Sequence, residues 1–202
     1  MARQLLRAFE CLLVAVGVVA LGWSGFVRAE AGRTQRRALT VLARARATAV
    51  RTTALISTRP PEASVPTPPH RGDAIAELDI PRLRMSQAVL EGADDSTLRR
   101  GPGHIEETSI PGEPGNIGIA GHRDTFFRAL SGIRVGDDVV LSTAHGVFHY
   151  RVSSLGIVPP QDVSVLKATK VPTLTLVTCY PFWFLGPAPM RYVVHATQLD
   201  VT

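Results

Sequence analysis

Cysteine is nearly absent from this chain: 202 residues hold two, Cys11 and Cys179. Cys11 lies at the edge of an apolar run, far from Cys179, so a disulfide scaffold has no support and Cys179 is expected as a free thiol. Glu10 before Cys11 makes a poor lipobox. One cysteine with scattered histidines also falls short of a zinc ligand set. Lysine is almost missing too, at 167 and 170 only, so the basicity is carried by arginine. There is no Gly-rich phosphate loop, no βαβ rhythm and no internal repeat, which removes the support for nucleotide-binding α/β folds and solenoids.

The basicity that remains is lopsided. The pI is about 9.9, yet residues 1–71 hold eleven Arg and three acids while residues 72–202 hold eleven Lys plus Arg and fourteen acids. The C-terminal part is mildly acidic, so it offers no nucleic-acid platform. The basic arm suits a segment beside anionic lipid headgroups.

Cys11 to Val27 carries no charge and is mostly Leu, Val, Ala and Gly. Seventeen residues is near the lower limit for a membrane-spanning helix. Residues 1–29 therefore read as an uncleaved N-terminal transmembrane anchor. The alternative is a cleaved signal peptide ending at Val27-Arg28-Ala29, against which the arginine and the length of the run both count. Arg28, Arg33, Arg36 and Arg37 outweigh Arg3 and Arg7, and by charge alone they would hold the C-terminal side in the cytoplasm. Residues 30–58 are rich in Ala, Arg and Thr; Leu39, Leu42 and Val50 look too sparse for a core face, so a solvated stalk is expected. Five prolines in 59–72 make a stiff linker. The folded domain is expected over 73–202.

Beyond Asp73 the pattern becomes short β segments between Gly and Pro: Ala74–Ile80, Gln87–Glu91, Gly115–Gly121, Asp138–Ser142, Val147–Val158, Pro172–Cys179 and Arg191–Gln198. Thr173-Leu174-Thr175-Leu176-Val177 shows the period of a half-buried strand. Short helical pieces are expected at Asp94–Arg99, Thr125–Leu130 and Gln161–Lys167. The class is all-β, a closed barrel or a sandwich.

Three segments could carry chemistry. In Leu176-Val177-Thr178-Cys179-Tyr180-Pro181 a cysteine ends an apolar strand, and the following proline turns the chain away. Alone, such a cysteine is usually a small buried hydrophobe. In Ile119-Ala120-Gly121-His122 a histidine follows a second strand, and Cys with His is the usual pairing for thiol acyl transfer. Arg191 opens the last strand and stays cationic when part-buried. A guanidinium aimed at a tetrahedral oxyanion stabilises acyl transfer. His104 and His195 are isolated, and His145 and His149 fall on a hairpin.

Together these segments resemble the sortases, cysteine transpeptidases of the bacterial cell envelope. Thr173–Cys179 is similar to the strand ending in a TLxTC signature, Ile119–His122 to the histidine segment and Arg191–Val194 to the arginine strand. Cys179-Tyr180-Pro181-Phe182 and Gly186–Pro189 look most like class D. The resemblance covers about residues 73–200. It implies an eight-stranded β-barrel with short helices, outside the membrane on a single-pass anchor. It implies cleavage of an LPxTG-like C-terminal sorting signal on secreted proteins, attack by Cys179 on the Thr carbonyl, and transfer to an amine on a cell-wall peptide or a protein lysine. His122 would be the general acid and base, Arg191 the oxyanion holder, and Thr178 a substrate-pocket residue. Because thiolate and protonated imidazole are needed together, a bell-shaped rate profile is expected.

A cysteine hydrolase would use the same residues, and a non-enzymatic envelope-binding domain none of them. Neither cofactor nor metal is expected. Asp94, Asp95, Glu106, Glu107, Asp137 and Asp138 are possible calcium ligands but read as solvated turn acids. The aromatic loop Phe182–Ala188 is expected to border the substrate groove.

Overall fold

A computed structural model describes residues 2–55, 68–184 and 186–199. Most of the Pro-rich linker, residues 56–67, and Leu185 of the aromatic loop lie outside the described residues, as do the side chains at 11, 24 and 26–28 of the apolar run. After a long helix, α1 (Ala2–Leu55), come β1 (Ala74–Ile80), β2 (Met85–Glu91), a one-turn helix α2 (Asp95–Leu98), β3 (Gly103–His104), β4 (Asn116–Gly121), β5 (Asp138–Ser142), β6 (Val147–Val158), β7 (Thr173–Tyr180) and β8 (Met190–Gln198). Three 3-10 turns lie at Pro81–Leu83, Arg128–Gly132 and Val163–Leu166.

The eight strands close into a barrel in the order β1-β2-β3-β4-β7-β8-β6-β5. Only β2–β3 and β4–β7 run parallel. Alternation drives the closure: Leu78 and Ile80 of β1, Ile117 and Ile119 of β4, Leu174 and Leu176 of β7, and Val194 and Ala196 of β8 all fill one interior. Tyr150 and Phe127 are its largest fully buried side chains.

Seven strands fall where the alternation predicts them. The eighth, β3, has only two residues, too few to show a period. It pairs Leu90 and Glu91 on one side and Ile119 and Ala120 on the other.

The solvated stalk is corrected. Residues 30–55 are helical, and Ala38 and Leu42 are buried against Ala88 and Leu90 of β2. Beside Ala88, β2 has no strand partner on the side of β3, because that pairing starts at Leu90. Gln35 supplies the missing bonds: its Oε1 accepts from the Ala88 N–H at 2.7 Å, and its Nε2 donates to the carbonyls of Ala88 and Arg100 at 3.1 and 3.0 Å. Three turns on from Gln35, Arg46 bonds Glu77 at 2.9 Å and the Ser142 carbonyl at 3.2 Å. The docked stripe is narrow: Leu42, with Leu39 partly buried beside it, sits between Ala38, Gln35 and Arg46, too few apolar positions to show as a core face.

Over the described residues, no helix is long and apolar enough to cross a membrane. The described side chains from Leu12 to Trp23 are exposed on α1.

Candidate active site

The wall formed by β4, β7 and β8 holds every residue singled out for chemistry. Interior positions alternate with outer ones, so Leu174 and Leu176 face the core while Thr175, Val177 and Cys179 face out. On β8 the same rule sends Val194 and Ala196 inward and Arg191, Val193 and His195 outward; on β4 it sends Asn116, Gly118 and Ala120 outward.

The register then joins the site. Cys179 lies directly opposite Arg191 in the antiparallel β7–β8 pair, where side chains on one face stand about 5 Å apart at Cβ. Gly121 pairs with Thr178 as the last rung of the parallel β4–β7 ladder, so His122 is the first residue past β4 at the strand end that carries Cys179. Gly121 has no room for a side chain: a Cβ there would come within 2.7 Å of the Phe127 ring. Phe127 closes the turn that follows, its N–H donating to the His122 carbonyl at 3.0 Å.

Cys179 is a half-buried free thiol. Among the described residues, neither its sulfur nor the His122 ring has a hydrogen-bond partner, and both are open to a reactant. Arg191 is already anchored, its Nη1 donating to the carbonyls of Met190 at 3.0 Å and Ala188 at 3.3 Å.

Thr178 is placed differently from a substrate contact. It is 2% exposed, on the interior side of β7, and its hydroxyl donates to the Gly121 carbonyl at 2.7 Å. It ties the end of β4, next to His122, to the end of β7, next to Cys179.

Beyond the strand end, Tyr180, Phe182 and Tyr192 form an aromatic cluster with ring centroids 5.3 to 6.1 Å apart. Burial, and then Tyr180, push the Tyr192 phenol up. Trp183 and Phe184 are exposed, 74% and 45%. Arg123, next to His122, reaches across to this loop, a contact that sequence reasoning missed because its partners are backbone carbonyls.

The remaining histidines lie elsewhere, and several of the acids are paired. His104 is buried on β3, with Nδ1 3.0 Å from Glu91 and Nε2 3.0 Å from the Ser109 carbonyl. His149 stands on β6 opposite Val140, and His145 lies in the turn before β6. Asp94 caps α2, and the hydroxyls of Ser96 and Thr97 hold its carboxyl well below the usual range. Asp137 is held low by hydrogen bonding from Arg82, Asp138 pairs with Arg151, Asp95 with Arg99, and Glu106 with Arg71.

Known proteins share this arrangement. A model of the sortase domain matches residues 78–199. Sortase D of Bacillus subtilis (strain 168) is 35% identical over 132 residues, covering 65% of this chain and 67% of that protein. Sortase SrtE1 of Streptomyces coelicolor is 34% identical over 129 residues, covering 54% of this chain and 37% of that protein. Among solved structures, a Clostridium perfringens Sortase D5 transpeptidase superposes with a TM-score of 0.60 at 32% identity, over 65% of this chain and 82% of that one. Sortase C of the same organism, solved with the C-terminal cell wall sorting motif, gives 0.61 at 26% identity, over 69% and 79%. The barrel, the order of the motifs along it and both sets of relatives agree: the chain belongs to the sortase family of cysteine transpeptidases.

Proposed function

We propose that His122, Cys179 and Arg191 carry out the transpeptidation, acting on a protein with an LPxTG-like C-terminal sorting signal. The observation that carries this reading is the register: Cys179 opposite Arg191, with His122 the first residue past β4 at the strand end that carries Cys179.

The Cys179 thiolate attacks the carbonyl carbon of the signal's Thr, and the electron pair moves onto oxygen. Arg191 stabilises that oxyanion, a contribution of several kcal/mol in such sites, on the order of 3. Collapse breaks the C–N bond, His122 donates its proton to the leaving amine, and a thioacyl enzyme remains. An incoming amine gives its proton to His122 as it attacks; the thiolate leaves and a new amide bond forms. The acceptor amine belongs to a cell-wall peptide or a protein lysine. Thr178 acts as a positioning residue through its bond to Gly121.

The working arrangement places residues 1–29 as a membrane anchor, 30–72 as a connecting segment and 73–202 as the catalytic domain, outside the cytoplasmic membrane. Two features support the anchor, while the side of the membrane rests on the likeness to sortases and runs against the charge count. The apolar positions from Leu12 to Trp23 are exposed on α1. The twelve residues from Trp23 to Gln35 span about 18 Å of helix, so the first barrel contact lies close to where headgroups would be. The exposed Arg33, Arg36 and Arg37 fall in that interval and just beyond.

The test is mass spectrometry of a sorting-signal peptide incubated with the full-length chain, with and without an added amine. The transpeptidase reading expects an amide-joined product that grows with amine concentration. A product mixture unchanged by amine would point to hydrolysis.

A further inference from the structure

Arg123 reaches from the His122 segment to the loop joining Cys179 to Arg191 and hydrogen-bonds its backbone. Its Nη1 donates to the Pro181 carbonyl at 3.0 Å, and its Nη2 donates to the carbonyls of Phe184 at 2.8 Å and Gly186 at 2.9 Å. Its guanidinium also lies 5.8 Å from the Phe184 ring centroid. A second arginine of the same segment, Arg128, stacks 4.4 Å from the Trp183 ring. The loop between β7 and β8 is irregular backbone whose carbonyls lack ladder partners, and three of them converge on one planar fork of donors.

We propose that Arg123 is a positioning residue that clamps the β7–β8 loop to the His122 segment, and so sets the spacing between the proton donor on one side and the Cys179–Arg191 pair on the other. The path is short. Arg123 is bonded in sequence to His122. The Pro181 carbonyl it holds is two residues past Cys179. Arg191 in turn donates to the Ala188 carbonyl, two residues past Gly186. Loss of the fork frees three carbonyls at once and lets the loop carry Arg191's support away from the thiol. A lysine in its place offers one nitrogen where the fork offers two, so it holds only part of the loop.

The proposal rests on the transpeptidase reading for its catalytic consequence but not for its structural one, and two measurements separate them. The first is hydrogen exchange of the full-length chain, which needs no substrate. In Arg123→Ala the amides of Phe182, Trp183, Phe184, Gly186 and Ala188 should exchange about tenfold faster, while those of Leu174–Val177 keep their protection. The second is single-turnover acylation of a sorting-signal peptide. Arg123→Ala should lower the acylation rate about 100-fold with KM nearly unchanged, and Arg123→Lys should fall between Arg123→Ala and wild type. Arg123→Lys carries both measurements if Arg123→Ala does not fold. Unchanged exchange in the loop, or a freed loop with a wild-type acylation rate, would overturn the clamp. A wild-type chain inactive on every sorting-signal peptide would count against the functional reading instead, and the exchange measurement would still decide the clamp.

Discussion

The two ends of the β4–β7–β8 wall are built from the same strands and the same residue types, yet they do opposite things. At one end Asn116 donates to the carbonyls of Val165 and Lys167, each at 3.1 Å, which fixes which amide atom is the oxygen. That oxygen accepts from the Thr175 hydroxyl at 2.6 Å, so the bond between Thr175 Oγ1 and His195 Nδ1, 2.9 Å, must be donated by the histidine. The 3-10 turn Val163–Leu166 covers this end. Gly118 makes room for it, since a Cβ there would meet Leu166 and Thr108 at 3.0 Å. Four residues further along, about 13 Å, the same wall presents a thiol, an imidazole and an arginine, each half-buried. Each end has one histidine. The His195 ring has a side-chain partner, and burial lowers its pKa; the His122 ring has no hydrogen-bond partner among the described residues. The difference between the structural histidine and the one proposed for catalysis lies in the neighbours and not in the residue.

The strongest way to sharpen that contrast is to remove one member of the open end. His122→Ala or Arg191→Ala should cost on the order of 10³-fold in acylation rate, with the thermal midpoint held near wild type. Steady-state acylation beside a thermal melt checks both halves; a large loss of stability in either variant would break the comparison.

The sealed end should answer in the opposite sense. Asn116→Ala leaves the Thr175 hydroxyl and two carbonyls without their partner and should destabilise the fold by about 2 kcal/mol, leaving the rate per folded molecule close to wild type. Urea unfolding with an active-site titration reads both numbers.

Thr178 lies between the two ends in character as well as position. Thr178→Val removes the donor to the buried Gly121 carbonyl and should cost about 1 kcal/mol, along with a few-fold loss in acylation as the two strand ends loosen. Equal rates with lower stability would make it purely structural.

The smallest expected effect is the pH response of His195. Its pKa is lowered by burial from the ordinary 6.5, so just below that pH the unfolded chain binds more protons than the folded one. Its contribution to stability is full above about pH 6.5. It falls as pH drops through the window down to the lowered value and levels off below. Thermal midpoints between pH 7 and 5 should therefore decline more steeply in wild type than in His195→Gln. Equal slopes would remove His195 from the account.

Much of the open end is legible in the sequence, because each of its three residues sits at the boundary of an alternating strand: His122 just past β4, Cys179 near the end of β7, Arg191 near the start of β8. The sealed end is not. Thr173-Leu174-Thr175-Leu176 reads as a strand with one wet face, but a turn from elsewhere in the chain buries Thr175 completely, and no local pattern announces that. Arg123 and Gln35 share a reason for being missed. Both act on backbone groups, which carry no residue identity, and Gln35 further depends on a gap in the β2–β3 pairing that exists only once the barrel closes. Leu39 and Leu42 are visible in the sequence but too few to mark a core face, since the rest of the docked stripe is Ala38, Gln35 and Arg46.

The most direct test of the central claim, that the open end of the wall is one acyl-transfer site, is intact-mass analysis of the full-length chain mixed with a sorting-signal peptide. The account predicts a thioacyl adduct on Cys179 that forms in wild type, is absent in Cys179→Ala and is discharged to an amide by added amine. An adduct that persists in Cys179→Ala, or peptide cleavage at an unchanged rate in that variant, would contradict it.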